Sequence, residues 1–174
     1  MAELLDAVPD GSDILLDTNI IVYGLTGISL QCRSLLERCS REHVTGITLF
    51  EIVHEATHKF MIAEARQKAI LSGQEEKGAK YLSKHPEQVK VLTDYWVNTL
   101  RLLDLNLLLL PTELATIRRA HTERLNAGLL TNDSIIVAAM REYGVVDIAT
   151  SDRQFETVAG ISVFAPTDLV AGNG

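Results

Sequence analysis

Four acidic residues lie where short apolar strands are predicted to end or helices to begin, namely Asp17, Glu51, Asp133 and Asp152. In a parallel α/β sheet the carboxyl ends of the strands form the crevice where ligands bind, so carboxylates at several such ends converge although they are distant in sequence. Crowded carboxylates repel one another and require a cation, protonation or basic partners. The pattern therefore indicates a candidate site for a divalent metal ion.

Each of the four carboxylates also has a structural explanation when it is taken alone. Asp17 could be a turn residue or a helix cap, and Asp152 could cap a short helix after it. Glu51 and Asp133 fall in the first turns of predicted helices, where a negative charge is favourable beside the helix dipole. The assignment to a metal site therefore depends on the residues around them.

The elements that must position these residues are predicted strands alternating with predicted helices, the pattern of a parallel sheet covered by helices. The predicted strands are 13–16, 44–48, 107–110, 147–150 and 161–164. The predicted helices are 30–39, 49–69, 87–103, 112–126, 133–143 and a short one at 153–158, with Thr112 and Asn132 as N-caps. The breaker-rich segment 72–86 is predicted to be a loop or a short helix interrupted by a loop. We therefore expect an α/β fold, a three-layer α/β/α sandwich with a central parallel sheet, in a single domain over residues 1–174.

The composition excludes several classes of protein. The 174-residue chain is 47% hydrophobic and 22% charged, as in a folded domain, and its net charge of −7 argues against a simple phosphate binder. Cys32 and Cys39 lie in a predicted helix, too far apart for a disulfide, and are expected to be buried thiols. The acidic N-terminus does not resemble a signal peptide, and the apolar segment 102–110 is too short to span a bilayer. We therefore expect a cytoplasmic protein.

Four motifs around the acidic residues resemble the PIN-domain family. They are residues 15–23 (LLDTNIIVY), 47–52 (ITLFEI), 130–139 (LTNDSIIVAA) and 148–155 (IATSDRQF). They occur in the order of that family and at broadly its spacing, and together they cover most of the chain. The combination is specific, whereas any single motif would not be.

The resemblance implies a PIN-like fold and a metal-dependent endoribonuclease, often the VapC-like toxin of a toxin–antitoxin pair. It implies that Mg²⁺ or Mn²⁺, which prefer oxygen ligands, is held by the catalytic residues Asp17, Glu51, Asp133 and Asp152. Thr150 matches the hydroxyl that the family places near its last acid. Asn19 matches an asparagine that supports the site without binding metal.

The chain departs from the family pattern in two places. Gln154 stands where the last motif often carries Asp or Asn just before the Phe, which puts an additional ligand there in doubt. The region from about residue 59 to 103 is longer than in the compact toxins, so we expect an extended helical region over about 59–105. This length is less typical of the toxin subgroup.

A different metal site is suggested by residues 54–58 (HEATH), which match the H-E-x-x-H motif of zinc proteases. Such a site requires a third ligand. The metzincin extension would need a glycine where Met61 stands and a histidine where Glu64 stands. Glu75 or Glu76 could serve as the third zinc ligand of a gluzincin-type site. Both lie in a polar, breaker-rich segment in which no other sequence feature supports such a site.

The same helix face carries Glu51, His54, Glu55 and His58, which are spaced three or four residues apart. We interpret it as a polar face beside the carboxylate site rather than as a zinc site. Glu55 is then a candidate accessory carboxylate, and one of the histidines could assist a nuclease.

Basic residues supply a candidate RNA-facing surface, with a solvated helix face as the alternative. They are Lys59, Arg66, Lys68, Lys80 and Lys84. An apolar patch on the helices of the 59–105 region could hold a second subunit or an antitoxin peptide, and we expect a homodimer.

Three functions follow from these observations. The first is hydrolysis of RNA phosphodiester bonds with Mg²⁺ or Mn²⁺. The second is a nuclease-derived module that binds RNA or a protein partner without cleaving, against which the intact acids argue. The third is a zinc protease, which is the least supported.

Overall fold

A parallel β-sheet forms the centre of the computed structural model, which describes residues 2–71 and 78–169. The strands within these residues are β1 (Glu3–Leu4), β2 (Asp13–Leu16), β3 (Thr45–Leu49), β4 (Leu108–Leu110), β5 (Asp147–Ala149) and β6 (Ser162–Ala165). Their order is β1-β6-β5-β2-β3-β4, and every neighbouring pair is parallel. The parallel sheet confirms the predicted fold class. Strand β1 is not predicted, because two residues are too few to show a period.

The path of the chain through the sheet changes direction at β2. From β2 the chain proceeds to β3 and β4 on one side, and it then returns to β5 and β6 on the other side. Leu15 of β2 accordingly lies between Ile47 of β3 and Ile148 of β5. Open α/β sheets bind ligands outside the carboxyl ends of the strands at such a switch point. A ligand site is therefore expected where β2 and β5 end.

Helices flank the sheet and complete the three-layer arrangement. The helices of the described residues are α1 (Thr18–Thr26), α2 (Leu30–Ser40), α3 (Phe50–Gln67), α4 (Gly78–Lys84), α5 (Pro86–Val89), α6 (Asp94–Leu103), α7 (Leu114–Ala127) and α8 (Thr131–Tyr143). Helices α1, α2, α3 and α6 form one connected group, and α7 packs against α8. None of the helices in the described part of the chain combines the length and the apolar character needed to cross a bilayer.

The core is built around the apolar run of β2. Ile14, Leu15 and Leu16 are each 0% exposed, as expected of a central strand that is covered on both faces. Cys32 and Cys39 of α2 are both free and buried, which confirms the prediction of buried thiols.

The predicted helix 87–103 is divided into α5 and α6. The break is held by Glu64 of α3, whose carboxylate accepts hydrogen bonds from the backbone N–H groups of Thr93 (2.7 Å) and Tyr95 (2.8 Å) at the start of α6. These N–H groups have no partner within their own helix, so the carboxylate satisfies them from another helix.

A small second core fills this region, made of Ala65, Leu71, Leu82 and Leu92. The described part of the predicted loop 72–86 contains α4, whereas residues 72–77, with Glu75 and Glu76, lie outside the described residues.

We expect Glu64→Gln to lower the free energy of unfolding by about 2 kcal/mol at pH 7, the range for hydrogen bonds to a buried charge. Burial alone would raise the pKa of Glu64. The hydrogen bonds that its carboxylate accepts have the opposite and larger effect, and the pKa is lowered to about 2; the donors are Lys68 and the backbone N–H groups of Thr93, Tyr95 and Asp94. Because the unfolded pKa is near 4.5, this stabilisation is present above about pH 4.5 and is lost as the pH falls towards 2. Urea denaturation at pH 7 and pH 3 measures the difference, which should shrink at the lower pH.

Glu37→Gln is the matched control for this prediction. Glu37 also pairs with a basic residue four positions away, Arg33 (3.1 Å), but the two side chains are 51% and 63% exposed. Such a pair contributes about 0.5 kcal/mol or less. Equal losses of stability in the two variants would show that Glu64 does not act as a buried cap.

Candidate functional site

Asp17 is at the centre of the candidate site, since it follows β2 and forms the N-cap of α1. Its Oδ1 accepts a hydrogen bond from the backbone N–H of Thr18 (2.6 Å), and its Oδ2 accepts one from the Thr150 hydroxyl (2.7 Å). Burial raises the pKa of Asp17, although these bonds and the charge of Lys59 act in the opposite direction. A carboxylate held where its charge is unfavourable is typical of functional sites.

Thr150 connects Asp17 to Asp152 across the neighbouring strands β2 and β5. Its hydroxyl donates to Asp17 and accepts a hydrogen bond from the backbone N–H of Asp152 (3.0 Å). The backbone N–H of Asp17 in turn donates to the carbonyl of Ala149 (3.0 Å). Asp152 Oδ1 accepts a bond from the backbone N–H of Gln154 (2.8 Å). The structure therefore brings Asp17 and Asp152 together through the hydroxyl that the sequence motif places beside them.

Asp133 and Glu55 contribute two further carboxylates, from α8 and α3. Burial and the negative charges of Asp152 and Glu55 raise the pKa of Asp133. Glu55 also acts electrostatically on Asp17, and its Oε2 accepts a long hydrogen bond from Asn132 Nδ2 (3.4 Å). Glu55 thus acts on both Asp17 and Asp133, and Asp152 acts on Asp133, and we refer to Asp17, Glu55, Asp133 and Asp152 as the acidic cluster.

Glu51, which the sequence places in the metal site, pairs with a residue that follows the edge strand of the sheet. Its Oε2 accepts a hydrogen bond from the hydroxyl of Thr112 (2.8 Å), which follows the edge strand β4. Glu51 lies in the first turn of α3 and Glu55 lies one turn later, where α3 meets α1 and Asn132 of α8. The placement favours Glu55 over Glu51 as the acid that α3 contributes to the site.

The two polar residues predicted as N-caps have other roles. Helix α7 begins two residues after Thr112, and α8 begins one residue before Asn132. Neither side chain caps its helix; the Thr112 hydroxyl donates to Glu51 and the Asn132 amide donates to Glu55. Both predictions are wrong because Glu113 is the N-cap of α7 and Leu130 is the N-cap of α8, so Thr112 lies before the one cap and Asn132 inside the other helix.

Lys59 is located inside the candidate site rather than on an outer surface. Its Nζ donates to Asn19 Oδ1 (2.8 Å) and forms an ion pair with Glu55 Oε1 (3.1 Å). Asn19, in the first turn of α1, therefore supports the site by holding a cation next to the acidic cluster. This contact could not be predicted from the sequence, because Lys59 is distant from Asn19 along the chain.

The other basic residues predicted to face RNA have different surroundings. Lys68 bonds the carboxylate of Glu64 and the carbonyl of Val91, so it contributes to the packing of α6 against α3. Lys80 and Lys84 are exposed on α4, and Arg66 is exposed near the end of α3. A phosphate-facing surface on α4 stays a prediction.

The H-E-x-x-H segment has no third zinc ligand grouped with it among the described residues. His54 and His58 are both exposed on α3, and Glu55 between them belongs to the acidic cluster. Within residues 2–71 and 78–169, no three His, Cys, Asp or Glu side chains are grouped in a way that could hold a metal ion. The placement favours a polar helix face beside the carboxylate site.

The donor set of the acidic cluster nevertheless suits a hard divalent cation. Carboxylate oxygens are the ligands that Mg²⁺ and Mn²⁺ prefer. Burial, and for Asp133 also the neighbouring carboxylates, raise the pKa values of Asp17 and Asp133, and a nearby cation would favour their ionised forms. Mg²⁺ is usually held by one or two carboxylates and several waters, so a site of this kind does not need three protein ligands around one point.

Comparisons with solved structures agree with this fold. One is the crystal structure of VapBC2 from Rickettsia felis, which was solved with a DNA fragment from the VapBC2 promoter. It gives a TM-score of 0.54 and 14% identity, covering 88% of this chain and 98% of that chain. A toxin-antitoxin complex from Klebsiella pneumoniae gives a TM-score of 0.52 and 15% identity over 85% and 94% of the two chains. PAE2754 from Pyrobaculum aerophilum gives a TM-score of 0.51 and 15% identity, covering 94% of this chain and 92% of that chain.

At these identities the similar structures establish the fold alone. No curated protein matches the sequence. The sequence model described as PIN domain matches residues 14–161, a span that contains all four members of the acidic cluster. The chain therefore belongs to the PIN-domain family.

Proposed function

We propose that this PIN-domain chain is a divalent-metal-dependent nuclease that hydrolyses phosphodiester bonds in RNA. The acidic cluster carries the proposal, because its four carboxylates come from separate parts of the chain and are coupled at the carboxyl ends of β2 and β5. Asp17 is buried and the other three carboxylates are partly exposed, and binding of a cation would offset both the burial and the repulsion between neighbouring acids.

We assign Asp17, Glu55, Asp133 and Asp152 as the residues that would hold Mg²⁺ or Mn²⁺. Glu55 here replaces Glu51, which the sequence motifs predict as the ligand from α3. The Asp17 oxygens each accept one hydrogen bond and keep a lone pair for ligation. Thr150 orients Asp17 by donating to it and fixes the backbone of Asp152 by accepting its N–H. When bound, the divalent ion supplies Lewis-acid stabilisation of the charge that develops on the phosphate.

We further propose that the chain is the toxin of a toxin–antitoxin pair and acts in the cytoplasm as a homodimer. The Klebsiella pneumoniae protein with the same fold was solved as a toxin-antitoxin complex. Helix α6 presents apolar side chains to solvent, namely Trp96, Val97, Leu100 and Leu103, and these offer a surface for an antitoxin or a second subunit. RNA would be the substrate and the antitoxin a protein partner.

Metal-dependent cleavage of RNA is the expected result when the purified protein is incubated with structured and single-stranded RNA. Mn²⁺ or Mg²⁺ should support cleavage, and a chelator should abolish it. Parallel reactions with single-stranded DNA and with casein plus Zn²⁺ test the other substrates.

Each alternative function predicts a different outcome of this assay. RNA binding without cleavage under every metal would contradict the nuclease and support a non-cleaving module. Casein hydrolysis that depends on Zn²⁺ would support the protease. Cleavage of DNA and RNA at equal rates would contradict the assignment of RNA as the substrate class.

A further inference from the structure

An ammonium group lies among the carboxylates that we assign as metal ligands. Lys59 Nζ is 2.8 Å from Asn19 Oδ1 and 3.1 Å from Glu55 Oε1, and its charge also acts on Asp17. A single positive charge thus interacts with two of the four members of the acidic cluster.

Two helices determine the place of Lys59. Lys59 follows Glu55 by four residues on α3, so the two side chains share one face of the helix. Asn19 lies in the first turn of α1, two residues after Asp17, and α1 packs against α3. The amide oxygen of Asn19 therefore anchors the ammonium beside both acids. Since the Lys59 side chain is 37% exposed, it can leave this position without disturbing the core.

A divalent ion would compete with this ammonium for Glu55. Both oxygens of Glu55 are engaged, Oε1 by Lys59 and Oε2 by Asn132. A cation of charge +2 interacts with each carboxylate more strongly than an ammonium at the same distance. A divalent ion bound to Glu55 would therefore be opposed by the neighbouring ammonium and would favour its separation from Glu55.

We propose that Lys59 is a built-in competitor of the divalent ion, held on Glu55 in the metal-free protein and displaced when the metal binds. Lys59 is then a positioning residue that weakens the affinity for Mg²⁺ or Mn²⁺ and neutralises part of the acidic cluster when metal is scarce. The inference rests on the proposed metal site.

Calorimetric titration of Mn²⁺ into the metal-free protein tests this role without any substrate. Lys59→Met and Lys59→Gln are each expected to bind Mn²⁺ about tenfold more tightly than the wild type, because a positive charge next to a partly exposed ligand has been removed. Lys59→Arg keeps the charge and should stay within about threefold of the wild type. Thermal unfolding gives a second readout, in which added Mn²⁺ should raise the melting temperature more for Lys59→Met than for the wild type.

Lys84→Met is the matched control, since it removes the same charge from an exposed position on α4. It should leave the affinity for Mn²⁺ unchanged. Unchanged or weaker Mn²⁺ binding in both neutral Lys59 variants overturns the inference, and so does an equal gain in Lys84→Met. Failure of both neutral variants to fold also overturns it, because a displaceable side chain cannot be essential to the core.

The failure of this inference can be told apart from failure of the proposed function. A wild-type protein that binds no Mn²⁺ overturns the metal site, and the inference with it. A wild-type protein that binds Mn²⁺ and loses binding in Asp17→Asn, but gives unchanged affinities in the Lys59 variants, overturns the inference alone.

Discussion

Asp17→Asn is expected to reduce metal-dependent RNA cleavage by more than about 100-fold, since loss of even an outer partner of a metal ligand costs about 10- to 100-fold. The variant should be as stable as the wild type or more stable. Burial raises the pKa of Asp17, so its contribution to stability is present below the unfolded pKa of 3.8 and is lost as the pH rises through the folded value. Burial thus opposes the ionised form of Asp17, and asparagine has no such charge to bury.

Single-turnover cleavage with Mn²⁺ and thermal unfolding in a chelator measure the two halves of this prediction. Asp13→Asn is the control, because Asp13 is exposed at the opposite end of β2 and should tolerate the change. If the chain is a toxin, its expression should arrest growth, whereas expression of Asp17→Asn should not. Full activity of Asp17→Asn would remove Asp17 from the site, and inactivity accompanied by a lower melting temperature would indicate a folding defect instead.

Glu55→Gln and Glu51→Gln are expected to differ strongly in activity although both residues lie on α3. Glu55→Gln should lower the cleavage rate by more than about 100-fold, because it removes a ligand from the acidic cluster. Its ion pair with Lys59 joins side chains that are 36% and 37% exposed, so the loss of stability should be at most about 1 kcal/mol. Glu51→Gln should change the rate by less than about threefold, since an amide oxygen can still accept the bond from Thr112.

The ranking of the two variants decides which acid α3 contributes. Mn²⁺ titration should show weakened binding in Glu55→Gln and unchanged binding in Glu51→Gln. The opposite ranking would return Glu51 to the metal site and leave Glu55 with the accessory role. If both substitutions have equal and small effects on cleavage and on Mn²⁺ binding, α3 contributes no metal ligand.

The fold could be predicted where a physical cause leaves a local pattern. The apolar run at 14–16 predicts a central strand because a strand buried on both faces must be apolar at every position, and Ile14, Leu15 and Leu16 are fully buried. The break between α5 and α6 could not be predicted in this way. It depends on Glu64, which lies on another helix and accepts the first N–H groups of α6.

The amino-acid sequence by itself determined that Asp17, Thr150 and Asp152 would lie together, because they follow strands of one parallel sheet and such strands end along the same edge. Only the tertiary structure showed that Glu51 bonds Thr112 whereas Glu55 pairs with Lys59, and only it placed Lys59 beside the acids. Residues four apart occupy the same helix face, so periodicity cannot distinguish them. Which turn of α3 meets the carboxyl ends of the strands depends on how α3 packs against α1 and approaches α8, a relation between segments distant in sequence.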